Sequence, residues 1–193
     1  MARKITVNMF MTLDGYGEFP DYPGSDFVPP EPDEFWKDMW SNRYGSVDTI
    51  IYGTNSYLGH SQFHALSKRK PTDPEYLFEF SRYLEKCNLV VLSHTLKKAE
   101  WGNTRIMKGE LAEIVARLKS EPGNDIIVDA GPTLTNAFIK GGLADEYKIL
   151  VFPVILGRGH HYWSPMEKQE TLKLVSVKVL EYGELYLQYN RVP

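Results

Sequence analysis

Two hydrophobic periods share this 193-residue chain. Short runs of β-branched and large apolar residues predict strands over 4–11, 49–52, 89–92, 104–107, 126–128 and 147–156. Between several of them, apolar residues recur three and four apart, which predicts helices. Tyr76, Leu77, Phe80, Tyr83 and Leu84 share one face of a helix opened at Asp73 or Pro74. A second helix covers 111–118 and stops before Pro122-Gly123; a third follows Asp129-Ala130-Gly131-Pro132. A short helix runs through Tyr57. Asp33 is placed to cap a helix whose aromatic face carries Phe35, Trp36, Met39 and Trp40. The stretch 18–32 holds five prolines and little periodicity, so it reads as loop. At the C-terminal end, 172–180 and 185–189 form a hairpin across Tyr182-Gly183-Glu184.

Strands joined through helices must lie parallel, because a crossover needs that length, whereas the terminal hairpin adds antiparallel strands. The expected architecture is α/β: a three-layer domain over residues 1–193, with a mixed, mostly parallel sheet covered by helices on both faces.

Composition narrows the possible functions. A net charge of −3 argues against a general nucleic-acid binder, which needs a basic surface. No apolar run approaches the length of a membrane span. The start, MARKITVNMF, enters a strand directly and lacks the cleavage site of a signal peptide, so the cytoplasm is the expected location. Cys87, the one cysteine, has no partner for a disulfide or a zinc site and is expected to pack in the interior. His160-His161 does not predict a metal site, since neighbours in a strand face opposite ways and no third ligand stands at suitable spacing.

The most informative stretch is 126–159. A buried strand runs into Ala130-Gly131-Pro132-Thr133, where glycine permits close approach of a ligand and proline suits a first helical turn. Helix starts leave several N–H groups without intrahelical partners, and these favour anions. Two other strands end in similar small polar sets, Gly53-Thr54-Asn55 and Ser93-His94-Thr95. Ligands of open α/β sheets bind outside the carboxyl ends of parallel strands. Three such turns together suit a dinucleotide with several phosphates. Every α/β protein has small polar residues in such turns, so a plain set of connections is the alternative.

On these residues the chain resembles the dihydrofolate-reductase-like superfamily. It is most similar to the reductase domain of the bifunctional riboflavin-biosynthesis deaminase/reductase and its stand-alone bacterial relatives. The resemblance runs through Thr12-Leu13-Asp14-Gly15, 50–54 with Tyr57, 90–93, Asp129-Ala130-Gly131, 142–146 and 152–159. It implies NADPH as hydride donor, with Gly53 and Thr54 at its phosphates at one helix start and Ala130, Gly131, Pro132, Thr133 and Leu134 at another. Ser93 and His94 would stand near the adenosine 2′-phosphate. The nicotinamide would lie against 11–14, and 15–30 would serve as a lid. Asp14, Trp36 and Tyr57 become candidate substrate contacts, and Asp33 the candidate catalytic acid. The resemblance also implies a homodimer, and the terminal strands have the apolar content of a covered edge.

Two departures bear on the chemistry. Relatives carry Gly-Arg after the second strand where this chain has Gly53-Thr54, and a Gly-Gly pair, commonly with a cis peptide, where it has Ala130-Gly131. The expected reaction is hydride transfer to a small polar heterocycle, as in the aminouracil reductases of riboflavin biosynthesis. Dihydrofolate reduction is the rival within the enzyme class. A non-catalytic nucleotide-binding module on the same fold is the rival outside it.

Overall fold

The computed structural model describes residues 3–18, 37–38, 45–163, 165–166 and 168–192. Ten strands and four α-helices are defined among them. Along the chain they run β1 (Ile5–Thr12), β2 (Tyr16–Glu18), β3 (Val47–Gly53), α1 (Thr54–His64), α2 (Glu75–Lys86), β4 (Asn88–Leu92), β5 (Asn103–Met107), α3 (Leu111–Ser120), β6 (Asp125–Asp129), α4 (Pro132–Lys140), β7 (Glu146–Phe152), β8 (His160–His161), β9 (Leu172–Val179) and β10 (Leu185–Arg191).

Eight strands form one sheet in the order β5-β4-β3-β6-β1-β7-β10-β9. The six from β5 to β7 are mutually parallel, and β10 runs antiparallel to both β7 and β9. The strands in the middle of this sheet are buried on both faces, which is why they read as continuous apolar runs rather than alternating ones. Successive residues serve opposite layers. Ile51, Ile126 and Val128 pack in a cluster with Ile114, Leu118 and Phe138 from α3 and α4. Ile50, Tyr52 and Ile127 pack with Tyr57, Phe80 and Leu84 from α1 and α2. The predicted mixed sheet with helices on both faces and a terminal hairpin is therefore the observed architecture.

Local chemistry sets the element ends. Pro132 opens α4 at a position where its missing N–H costs nothing, and Gly142, at φ +60°, follows the helix's end. The strand predicted over 147–156 stops at Phe152, because Pro153 cannot donate to a ladder. Pairing of β2 with β8 was not foreseen; β8 has two residues, too few to show a period. Gly17 makes that pairing possible, since a Cβ there would lie 1.9 Å from the Tyr162 ring. Cys87 is buried, as expected, and burial pushes its thiol up to about 11.

Three expectations fall outside the described residues: the Asp33 cap, the aromatic helix with Trp36, and the body of the 15–30 lid. Every peptide bond among the described residues is trans, the one before Gly131 included.

Candidate active site

Strand order brings the three polar turns together. β3 lies between β4 and β6, so the carboxyl ends at Gly53, Leu92 and Asp129 are adjacent. Side chains then tie the turns to one another. The Thr54 hydroxyl donates to Ser93 Oγ at 2.8 Å, joining the β3 and β4 ends. The Gly131 N–H donates to Ser56 Oγ at 3.2 Å, joining the β6 end to α1. Two helices, α1 and α4, therefore begin side by side. Gly53 and Gly131 precede them in extended backbone, and neither helix has a side-chain cap. Their first-turn N–H groups point out of the sheet's carboxyl edge without intrahelical partners, except at Pro132, which has none to offer. Two aligned positive helix ends make an anion-attracting edge.

Ser93 is buried, and its oxygen also accepts from the backbone N–H groups of Thr95 and Leu96 at 3.2 and 2.9 Å. It shapes the turn from within. His94, Lys97 and Lys98 are exposed around it, with Lys98 paired to Glu100 at 2.6 Å. Ala130 and Pro132 are buried, Thr133 is exposed, and Leu134 stands 3.8 Å from where a Cβ on Gly53 would be.

Beside these turns lies a cavity of about 410 Å³ between β1, α1, β6 and the β8 region. Its polar end is built from Asn8, His60 and Asp129. Asn8 Nδ2 is 3.4 Å from Asp129 Oδ1, and His60 Nε2 is 3.7 Å from Asp129 Oδ2. The His60 ring packs against Tyr52, with centroids 4.9 Å apart, and His64, at 5.2 Å. Phe10, Phe63 and Tyr162 supply aromatic wall, while Ser56 and Gly131 are shared with the turn above. The cavity thus opens beside the two helix starts. A larger cavity, about 790 Å³, lies at the opposite end of the molecule near Lys140 and Arg191, away from these turns.

Sequence reasoning missed Asn8 and His60, and it read Asp129 as a turn residue only. The signals were present. Asn8 is a polar residue within an otherwise apolar strand, Asp129 ends another, and His60 stands four residues after Ser56, on the same face of α1.

Two expected substrate contacts sit elsewhere. Tyr57 is 3% exposed, and its hydroxyl accepts from the Trp101 N–H at 2.9 Å, so its ring belongs to the core under α1 rather than to this cavity. Asp14 turns its carboxylate into the 156–157 loop. It accepts from the Thr12 hydroxyl at 2.6 Å and from the N–H groups of Leu156 and Gly157 at 3.1 and 2.7 Å. These bonds, that from Thr12 foremost, hold its pKa down to about 2. The Asp14 carbonyl meets His161 Nε2 at 2.8 Å. Nδ1 of the same ring lies 2.8 Å from the Trp163 carbonyl oxygen and 3.0 Å from the Trp163 nitrogen. His161 is thereby a clasp between β2 and β8. Among the described residues no cluster of three or more metal-ligating side chains exists.

Residues 3–187 match the family described as the RibD C-terminal domain. The chain belongs to that family. The uncharacterized protein YyaP of Bacillus subtilis (strain 168) is 27% identical over 188 residues, covering 97% of this chain and 95% of its own. Among solved structures, the diaminohydroxyphosphoribosylaminopyrimidine deaminase/5-amino-6-(5-phosphoribosylamino)uracil reductase of Thermotoga maritima superposes with a TM-score of 0.65 at 13% identity. That match covers 99% of this chain and 57% of the Thermotoga chain. Dihydrofolate reductase from Enterococcus faecalis, complexed with NADP(H), gives a TM-score of 0.59 at 13% identity, with 99% of each chain covered. Family membership supports an oxidoreductase of the riboflavin-biosynthesis type, and the two structures share its fold. A nicotinamide dinucleotide fits the donor set: uncapped helix starts at Gly53 and Gly131 for its phosphates, and a cavity beside them for the reacting rings.

Proposed function

We propose that this chain, as one reductase-like domain over residues 1–193, is a cytoplasmic NADPH-dependent reductase acting on a small polar heterocycle of the aminouracil class. The observation that carries the reading is the meeting of two uncapped helix N-termini with a polar-ended cavity at the carboxyl edge of a parallel sheet. When bound, the dinucleotide supplies the hydride. The protein's work is to bind, orient and exclude water. The N–H groups of Thr54, Asn55 and Ser56, with those of Thr133 and Leu134, receive the phosphates. Gly53, Ala130, Gly131 and Pro132 form the close backbone approach, and His94 with Lys97 provides positive or hydrogen-bonding groups toward a 2′-phosphate, with Ser93 holding that turn in shape. The cavity holds the substrate ring at reacting distance, the source of most of the rate gain when no covalent step is needed. Asp33 and Trp36 remain our candidates for proton delivery and stacking. Dihydrofolate is the second substrate to assay, because the Asp129 carboxylate in the cavity also suits the N–H edge of a pterin.

We further propose that the protein is a homodimer formed through β9. That strand is a sheet edge exposing Leu174, Val175, Val177 and Val179 to between 51% and 69%. An edge of this kind invites pairing.

Thermal melting with NADPH, with NADH and with no ligand tests the cofactor reading. A ligand that binds only the folded state raises the melting temperature. A rise with NADPH and little with NADH is expected. No rise at millimolar cofactor makes the chain a non-catalytic module. Light scattering of the same samples should return a dimer mass; a monomer at micromolar concentration removes the β9 interface.

A further inference from the structure

The larger cavity, about 790 Å³, lies where the terminal hairpin meets the end of α4, beyond the parallel part of the sheet. Its volume falls within the range of about 300–1,000 Å³ usual for small-molecule sites. The nine residues of α4, about 13 Å of helix, separate it from the turn at Gly131. Among the described residues, three cations line it, Lys140, Lys168 and Arg191, against one acid, Glu170. That acid is already answered. The Tyr147 hydroxyl donates to its Oε2 at 2.7 Å, and Arg191 Nε stands 2.8 Å from its Oε1. Arg191 is thereby held in place, and its Nη1 donates to the Gly142 carbonyl at 2.6 Å. Its Nη2 makes no hydrogen bond among the described residues, so that end of the fork is open. Lys140 and Lys168 are exposed and enter no ion pair there. The end of a helix ordinarily opposes an anion, because its last carbonyls carry the negative end of the dipole. Here the carbonyls of Ala137, Phe138 and Ile139 already accept from Gly141, Leu143 and Gly142 N–H groups. Apolar wall completes the cavity: Ile139 is buried, while Met166 and Val192 are left 41% and 43% exposed.

We propose that this cavity is a second binding site, for a small phosphomonoester carried on an apolar body. Such a group brings about −1.5 to −2 charge at pH 7 and three strong acceptor oxygens. One fixed guanidinium and two ammonium groups match that demand in charge and in number of donors. A carboxylate, with one charge and two oxygens, engages fewer of them. Arg191 supplies the preorganised donor, and Lys140 and Lys168 close on the anion as flexible point charges. Met166 and Val192 cover the apolar body, which removes their exposed surface from water. The site goes beyond the reductase reading and shares no residue with the cofactor turns.

The test is calorimetric titration of phenyl phosphate, inorganic phosphate and benzoate into the full chain and into a variant combining Lys140→Gln with Lys168→Gln. Both lysines are exposed, so the variant should fold and melt as the parent does. Phenyl phosphate should bind at one equivalent, at least fivefold tighter than either inorganic phosphate or benzoate. The double variant should bind it at least tenfold more weakly, and its NADPH-induced rise in melting temperature should match the parent's. Saturating NADPH should leave phenyl phosphate binding to the parent unchanged. No binding of phenyl phosphate at millimolar concentration overturns the proposal. So does equal binding by the double variant. Displacement by NADPH also overturns it, since that places the anion at the helix starts of α1 and α4. A chain that binds phenyl phosphate as stated but shows no rise with NADPH keeps this site and loses the cofactor reading.

Discussion

The amino and carboxyl edges of the parallel sheet use their polar groups in opposite ways. At the amino edge, Arg3 is buried and spans four parts of the chain. It donates to the carbonyls of Leu118, at 3.1 Å, and Asn124, to Thr49 Oγ1 at 2.6 Å, and to the Asp48 carboxylate. Asp48 in turn accepts from the Asn124 N–H at 2.7 Å. Beside this knot, Asp145 takes the Ile5 N–H at 2.7 Å and the Lys119 ammonium at 2.6 Å. Helix end, strand starts and loops are locked by charge-assisted bonds. At the carboxyl edge, by contrast, neutral hydroxyls join the turns, and two helix starts are left without caps. Charge is spent on stability at one edge, and donors are left open for a ligand at the other.

The largest effect should come from breaking the amino edge. Arg3→Ala leaves Asp48, Thr49 and two carbonyls without their shared donor. Removing one partner of a buried pair costs about 3–5 kcal/mol; the lower figure applies here, since Asp48 keeps access to water. For a chain of this length, each kcal/mol lowers the melting temperature by about 2–4 °C. A fall of about 6–12 °C is expected, with the NADPH-induced rise unchanged. A lost rise would join the two edges energetically and break the contrast.

Ser56→Ala sharpens the same contrast from the other side. It removes the acceptor for the Gly131 N–H, a loss of about 1 kcal/mol for one neutral bond. Melting should fall by only a few degrees, while the NADPH-induced rise shrinks by half or more, because the two helix starts lose their tie. Titration of NADPH against both variants checks the pair.

The two edges also differ in how far the sequence reveals them. The turns at Gly53, Ser93 and Gly131 stand out because their composition is local: apolar strand, then small polar residues. Their adjacency is not local. β6 comes after β4 and β5 in the chain yet lies between β3 and β1, so the meeting of turns depends on the strand order. Arg3 looks like one of two basic residues before a strand, and nothing nearby marks it as a keystone; partners such as Asp48 and Asn124 lie 45 and 121 residues away. Asp129 was legible as a turn residue but not as a cavity acid, because its neighbours Asn8 and His60 come from β1 and α1. Tyr57 shows the opposite error: an aromatic residue close to a phosphate turn in sequence, yet rotated into the core by its place on α1.

Asp14 is the exception that tests the contrast, a charged group holding structure at the carboxyl edge. Its carboxyl is held at about 2, against an ordinary value of 3.8, first by the Thr12 hydroxyl and then by the Gly157 and Leu156 N–H groups. A carboxyl whose folded value is depressed adds stability that is complete above the unfolded value and disappears as pH falls through the folded one. Stability from Asp14 is therefore present above about pH 4 and lost between about pH 4 and pH 2. Asp14→Asn cannot carry the charge, so it should melt slightly below the parent at pH 7 and lose less on acidification through that window. Acid unfolding followed by circular dichroism, parent against variant, reads the difference directly. The effect is the smallest of the three, since the group is near water and the loop it holds lies outside the main sheet. Parallel acid curves for the two proteins would mean that the 156–157 loop stays in place without the Asp14 charge, and Asp14 would no longer be an exception to the contrast.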